Sequence, residues 1–339
     1  MHPNFHPALV NGSAGDPVLF VDCLFDKRAL LFDLGNISAL PPRKLMRISH
    51  VFVSHAHMDH FIGFDWLLRI LLGRDKALHL FGPAGFVAQV EHRLRSYTWN
   101  LVQNYDTDFT LHVTELDGGG GGLRASFHCR SMFLRTGETA VVCPGNVLLS
   151  EASMQVRYTL LDHGGIPCLA YALDEPAHVN IWKNRLHELG LPVGGWLREL
   201  KQAVLRNEPD HWQIHVAWRE QDNEHERVLQ LSELRSALHI VPGQKIAYVT
   251  DTAWSEGNVG RITALALGAD QLYIEAVFLE RDAEHGQRKG HLTARQAGEI
   301  ARAAGAVSVT TMHHSPRYQH EDVSLLHAEV AAAFGGKVL

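Results

Sequence analysis

Residues 51–63 read VFVSHAHMDHFIG, an apolar, strand-like run that breaks into His55, His57, Asp59 and His60. Nothing else in the chain restricts its fold as tightly. Strand geometry sends neighbouring residues to opposite faces, so the backbone has to leave the strand and curl if all four side chains are to face one point. Neutral imidazole and carboxylate are the preferred ligands of Zn2+ or a similar borderline cation. Ser54 before the cluster and Gly63 after it suit a tight turn into a helix. The competing reading is a solvated histidine-rich loop without metal, and the specific arrangement of three histidines and one aspartate behind an apolar strand weighs against it.

One loop can hardly fill two metal sites, so further ligands are expected at the ends of other strands. His163 in LLDHGGIPCLAYAL, Asp251 at the end of KIAYVTD, and His313 or His314 at the end of VSVTTMHH are the candidates. Each alone reads as well as a capping or exposed residue. Together with the first motif they point to one edge of a sandwich, where strand ends converge.

Strand-like runs at 17–25, 28–35 and 50–54 are rich in Val, Leu and Phe and are bounded by Gly, Pro, Asp or Asn. Helical spacing follows at 63–72 and 87–101. Further strands are expected at 109–116, 123–134, 139–143 and 155–161, with the glycine run 118–122 as a flexible hairpin tip. The second half repeats the rhythm, with strands at 168–174, 245–251, 272–278 and 306–314. Its helices are expected at 258–267 and at 293–304, the latter capped by Thr293. Two β-rich halves with helices outside predict an α/β (α+β) chain folded as a four-layer αββα sandwich. Residues 1–339 then form a single domain, and the polar, helix-rich stretch 175–241 is a helical arm inserted into it.

Composition narrows the function classes. The formal charge of −6 argues against a chain coated in basic patches for nonspecific nucleic-acid binding, although a local basic surface is compatible with it. No run of 18 apolar residues occurs, so no membrane span is expected. The segment MHPNFHPALV lacks a basic region followed by an apolar core, so no signal peptide is expected. Cys23, Cys129, Cys143 and Cys168 are widely spaced without a CxxC pair, and read as free thiols of a cytoplasmic protein.

His55-Ala-His57-Met-Asp59-His60 matches the HxHxDH signature of the metallo-β-lactamase superfamily. LLFDLG, FGPAGF, LLDHGGIPCLAYAL, VTDT, IEAVF, GHLT and MHHSPRY then follow in the order and at the separations of one branch. On these motifs the chain resembles the ribonuclease Z (tRNA 3′-processing endonuclease) family, from about Leu30 to Tyr318. The joint presence of HLT, HHSPRY and LGLPVGGWLRELK carries the branch, whereas HxHxDH alone fixes only the superfamily.

The resemblance implies two divalent cations, Zn2+ with Mn2+ as the alternative. His55, His57, His163 and Asp251 would hold the first. Asp59, His60, Asp251 and one of the tandem histidines would hold the second. The family places that ligand five residues before the tyrosine of S-x-R-Y, which selects His313. Cations about 3.5–4 Å apart can share a hydroxide that attacks phosphorus in line. His291 in GHLT is implied as the proton donor to the leaving oxygen. Asp59 is implied as an orienter of the nucleophile and Glu275 as the group that fixes a catalytic histidine. Ser315, Arg317 and Tyr318 are candidates for phosphate contact. Residues 182–207 resemble the arm that grips the tRNA elbow, with Arg198 and Lys201 as backbone contacts. The implied activity is endonucleolytic cleavage of precursor tRNA 3′ trailers, by a homodimer. A small phosphodiester such as a cyclic nucleotide, or a thioester or lactone, is the alternative substrate, and a non-catalytic RNA-binding protein the third reading.

Several stretches depart from the family pattern. Pro192-Val-Gly194-Gly195 stands where a Pro-Gly-Pro turn is usual, FHPALVNGSAGDPVLF replaces a glycine-rich stretch, and Ile274-Glu275-Ala276-Val277 replaces HEAT. Residues 208–238 match nothing in the pattern. The metal-binding residues are complete, while the parts that would read tRNA are altered.

Overall fold

The computed structural model describes residues 3–24, 26–220, 223–318 and 320–339. Phe25, which closes the first expected strand, and Gln221 and Asp222 of the expected insertion lie outside the described residues. The chain forms two compact bodies. Among the described residues, the larger comprises those of 5–148, 156–173 and 245–339, and the smaller those of 3–4, 149–155 and 174–244.

The larger body is built on two sheets. The first has eight strands in chain order, from Phe5–Leu9 to Arg135–Val142. Its central strands Arg28–Phe32, Ile48–Phe52, Ala77–Pro83 and Thr110–Leu116 run parallel. The second sheet carries, in spatial order, Lys337–Val338, Ser308–Met312, Gln271–Glu275, Lys245–Val249, Ile166–Asp174 and Met154–His163. Here Lys245–Val249, Gln271–Glu275 and Ser308–Met312 are parallel neighbours.

Strand alternation sorts the side chains into layers. Val51 and Val53 face a core shared with Leu67 and Leu68 of helix Phe64–Leu71 and with Val87 and Val90 of helix Phe86–Arg95. Phe52 points the other way, between the sheets. Its ring stacks on Phe32 at 5.2 Å and meets Tyr171 of the second sheet at 5.5 Å, while Phe32 meets Tyr248 at 5.8 Å. On the outer face of the second sheet, Val249, Ile274 and Val309 pack with Ile262, Ile300 and Val330, which belong to helices Glu256–Ala266, Ala294–Ala303 and His320–Phe334. The result is the expected order helix, sheet, sheet, helix. Thr293 caps helix Ala294–Ala303, its hydroxyl accepting from the Gln296 amide in a capping box.

Three expectations differ in detail. The helix expected at 87–101 stops at Arg95, where the Trp99 indole donates to the Leu94 carbonyl and satisfies an otherwise orphaned acceptor. The strand expected at 123–134 runs Gly121–His128 and gives way to a single 3-10 turn, Cys129–Ser131, after which Met132 and Phe133 take left-handed φ of 56° and 52°. The glycine-rich tip is a defined turn, in which the Asp117 carboxylate accepts from the amides of Gly119 and Gly121.

The smaller body is less helical than its composition suggests. Helices Lys183–Glu188, Leu197–Leu205 and Leu231–Leu234 accompany two antiparallel pairs, Ala177–Ile181 with Leu238–Pro242 and Gln213–Glu220 with Asn223–Gln230. The second pair escapes a composition-based reading because only Ile214 and Val216 of one strand and Leu229 of the other enter the core, while exposed Glu224 and Glu226 make the segment look like a polar helix. Trp196 is a plug of that core, its indole donating to the Pro192 carbonyl.

Between the sheets, at the end where the parallel strands begin, His50, His79 and His112 lie in register across three strands, their rings 4.8 and 5.0 Å apart. Burial, reinforced by the neighbouring His79, pulls His50 down to about 3. An unfolded chain takes this proton near pH 6.5 and the native protein resists it until about pH 3. His50 therefore costs no stability above pH 6.5 and removes it as pH falls, by up to about 1.4 kcal/mol per pH unit. His50→Gln is expected to flatten the loss of denaturation midpoint between pH 6.5 and 4. An unchanged acid limb in urea titrations would show that His50 does not drive it.

Candidate metal centre

Most residues of the centre sit at the carboxyl end of a strand. Asp33 follows Arg28–Phe32, Ser54 and His55 follow Ile48–Phe52, and His163 closes Met154–His163. Asp251 follows Lys245–Val249, Glu275 closes Gln271–Glu275, and His313 follows Ser308–Met312. The two sheets thus deliver their strand ends to one edge. His57, Asp59 and His60 are supplied by the turn into helix Met58–Phe61, with His57 as its N-cap residue.

That turn closes tightly. The Leu34 amide donates to the His60 carbonyl and the Gly63 amide to the Leu34 carbonyl. A Cβ on Gly63 would collide with the Gly35 carbonyl oxygen, so only glycine lets the two loops meet. Asp33, Asp251 and His313 adopt φ of 59°, 25° and 58°. Left-handed backbone in non-glycine residues costs of order 1 kcal/mol or more each, and here it aims three side chains at one point.

Donor atoms of His55, His57, His163 and Asp251 all lie within 4.8 Å of one another, as do those of Asp59, His60 and His313. Asp251 links the groups. One of its carboxylate oxygens is 3.5 Å from His55 Nε2, 3.7 Å from His163 Nε2 and 3.3 Å from His60 Nε2, and the other is 2.8 Å from His313 Nδ1. Asp59 lies 3.2 Å from His313 Nε2 and 3.5 Å from His60 Nε2. The tandem histidines separate here. His314 turns away, its Nε2 3.0 Å from the Thr311 hydroxyl, and burial followed by the nearby His327 pulls it down to about 4.

The outer nitrogens of the rings are already committed. His60 Nδ1 pairs with Asp33 at 2.9 Å, His55 Nδ1 with the Ser54 hydroxyl at 3.1 Å, and His163 Nδ1 with the Gly290 carbonyl at 2.8 Å. A Cβ on Gly290 would lie 3.1 Å from His163 Nδ1, so this approach needs its glycine, held at φ 73°. These partners fix the tautomers that turn Nε2 inward. His55 Nε2, His60 Nε2 and His313 Nδ1 then converge, buried, on the Asp251 carboxylate at 3.5, 3.3 and 2.8 Å. Imidazole nitrogens gathered round one carboxylate are the donor set a divalent cation takes. The residues present therefore fit a metal.

Electrostatics agree. Burial alone would lower His60, but the Asp251 and Asp33 carboxylates outweigh it and raise it to about 10. Burial would raise Asp59, yet its hydrogen bond to His313 and the His60 charge bring it to about 2. Burial would likewise raise Asp251, and the His313 and His60 imidazoles hold it well below the carboxylate range. His55 follows burial, which with the neighbouring His60 lowers it to about 3, and burial with the nearby His163 lowers His57 as well. The carboxylates hold positive charge in the gap among them, a demand that a divalent cation meets.

Glu275 and His291 sit beside the cluster. Glu275 is fully buried and accepts from the Thr252 and Leu292 amides at 3.0 Å with one oxygen, and faces His291 Nδ1 at 2.9 Å with the other. Burial would lower His291, and the Glu275 carboxylate raises it instead. Ser315 lines the cavity that contains Asp59, His291 and His313. Arg317 lies over the Phe278 ring and 3.6 Å from Asp282, and the Tyr318 hydroxyl donates to Asp282 while accepting from the Leu279 amide. Arg198 and Lys201 belong to helix Leu197–Leu205 of the smaller body.

Two residues in this framework have no counterpart in the sequence reading. Asp33, wholly buried, accepts from the Ser54 amide and hydroxyl and from the Tyr248 hydroxyl, besides holding His60. Asn258 ties together the loops that carry His163 and Asp251, its side-chain amide donating to the Asp162 and Ala253 carbonyls and the Thr252 hydroxyl. Asp33 lies inside LLFDLG, where a carboxylate within an apolar run was the available signal. Asn258 lies inside a helical pattern and gave none. Asp33→Asn is expected to lower stability by about 3 kcal/mol, because it breaks a buried charged network. It should also weaken zinc binding about 10- to 100-fold in a chelator competition. Wild-type zinc affinity in this variant would refute the orienting role.

Residues 18–126 match the family model described as the beta-lactamase superfamily domain. Ribonuclease Z of Deinococcus radiodurans is 30% identical over 297 residues, covering 86% of this chain and 84% of that protein. Ribonuclease Z of Thermobifida fusca is 30% identical over 320 residues, covering 93% and 84%. Among solved structures, the metallo-beta-lactamase fold protein YhfI of Bacillus subtilis superposes with a TM-score of 0.55 at 15% identity, covering 98% of this chain and 95% of that one. The short form of human tRNase Z gives 0.51 at 17% identity, covering 93% and 92%. These superpositions show the metallo-β-lactamase fold. The chain belongs to the ribonuclease Z family of metal-dependent hydrolases.

Proposed function

We propose that this protein is a two-metal phosphodiesterase that cleaves precursor tRNA on the 3′ side of the discriminator position. The observation that carries the reading is the double cluster bridged by Asp251, standing beside the Glu275–His291 pair. His55, His57, His163 and Asp251 would hold one divalent cation, most simply Zn2+, and Asp59, His60, His313 and Asp251 the other. When bound, such a pair supplies a hydroxide nucleophile at neutral pH and neutralises charge on the phosphoryl oxygens.

The chain's own residues do the rest. Asp59, half-buried and held ionised, orients the nucleophile by accepting a hydrogen bond from it. His291 donates a proton to the leaving oxygen from Nε2, because Glu275 holds Nδ1 and favours the protonated ring. Ser315, which lines the same cavity, contacts the phosphate chain. The smaller body acts as the arm inserted into the catalytic domain, and Arg198 on its exposed surface meets the RNA backbone, with Lys201 half-buried behind it. Exposed Met58, Ile62 and Trp66, 74%, 44% and 47% accessible, support a homodimer built on this face. Four buried free cysteines support a reducing, cytoplasmic setting.

A small phosphodiester is the second reading, and one feature favours it. In the smaller body, Glu208, Asp210, Glu224, Glu226 and Glu233 offset the basic residues of helix Leu197–Leu205, which weakens its attraction for a polyanion. The zinc-loaded protein should cut precursor tRNA at one position and hydrolyse bis(p-nitrophenyl) phosphate. Hydrolysis of the small ester with intact tRNA at excess enzyme would select the second reading. His57→Ala should lower both activities by at least 1,000-fold, on the order of 4 kcal/mol of transition-state stabilisation. His291→Ala should lower kcat about 100- to 1,000-fold with KM little changed, as expected for a proton donor; an equal loss in KM would argue for a binding role.

A further inference from the structure

The cavity above the metal centre measures about 560 Å3, room for more than one phosphoryl group, and is bordered by Asp59, His291 and His313. Helix Ala283–Lys289 contributes His285 and Lys289 to the same cavity. The two are four residues apart and share one face. This helix is closely seated. A Cβ on Gly286 would come 3.2 Å from the Phe278 ring, and the His285 ring meets Phe278 edge-on at 5.1 Å. Among the described residues no carboxylate pairs with Lys289, which is exposed, whereas Arg317, stacked on the cavity-lining Phe278, already faces Asp282. The loop that carries Asp16 also borders the cavity. Its carboxylate disfavours an anion there, so the helix side is the anion-accepting one.

We propose that Lys289, with His285 as a neighbouring hydrogen-bond partner, seats the phosphate next to the one being cut and so selects a polynucleotide chain over an isolated diester. The proposal rests on the ribonuclease reading above. An ammonium on a flexible stem is suited to this task, because it follows a backbone phosphate as a point charge without demanding one geometry. Such a contact raises affinity without reading sequence, and it is lost with added salt.

The test compares zinc-loaded wild type with Lys289→Gln and Lys289→Arg on precursor tRNA and on bis(p-nitrophenyl) phosphate, which has a single phosphorus. The ratio of kcat/KM for RNA to that for the small ester should fall about five- to tenfold in Lys289→Gln and recover in Lys289→Arg. The dependence of log KM for RNA on log salt should become shallower by about 0.7, the value for one lost contact to a single strand. Equal loss on both substrates, or an unchanged salt dependence, would overturn the proposal. If wild type hydrolyses the small ester but leaves tRNA intact, the ribonuclease reading fails by itself. Inhibition of ester hydrolysis by a 5′-phosphorylated tetraribonucleotide then decides about Lys289. Its Ki should rise about five- to tenfold in Lys289→Gln, and an unchanged Ki would remove the seat.

Discussion

The centre depends on a carboxylate that touches no substrate. Asp33 is completely buried and receives four hydrogen bonds, from the Ser54 amide and hydroxyl, the Tyr248 hydroxyl and His60. Ser54 in turn reaches His55 Nδ1. Because Tyr248 comes from the second sheet, this one side chain joins both sheets of the larger body just below the centre. A buried ionised carboxylate is tolerated only when its lone pairs are satisfied, and here the groups that satisfy it are those that aim the histidines. Stability and ligand orientation are the same set of contacts.

From that anchor the remaining geometry follows. The aromatic layer of Phe32, Phe52, Tyr171 and Tyr248 fixes the spacing of the sheets. Parallel strands from each sheet end at one edge, so short loops suffice to bring His163, Asp251 and His313 to the His55–His60 turn. The strained backbone of Asp33, Asp251 and His313 is confined to this edge, where packing on both sides holds it. Donors are pre-aimed, which lowers the reorganisation needed when a cation or substrate arrives.

How far the sequence discloses this depends on the kind of signal. The layer order and the dense HAHMDH turn were legible, because alternation and local spacing survive in one dimension. His163, Asp251 and His313 were legible as strand-terminal polar residues and through family resemblance. Asp33 acts through contacts 21 to 215 positions away and Asn258 reaches Asp162, 96 positions away, relations that no local pattern encodes. The paired strands Gln213–Glu220 and Asn223–Gln230 hid behind their charged outer face. Lys289 and His285 were ordinary helix residues until the fold placed them over the cavity.

The functional account reduces to one claim: Asp251 bridges two cations held by the strand ends. Elemental analysis of the zinc-loaded, exhaustively dialysed protein tests it most directly. The account predicts about two zinc ions per chain in wild type, and fewer than one in a correctly folded Asp251→Asn variant. A wild type that retains one ion or none, or an Asp251→Asn variant that still retains two, would contradict it.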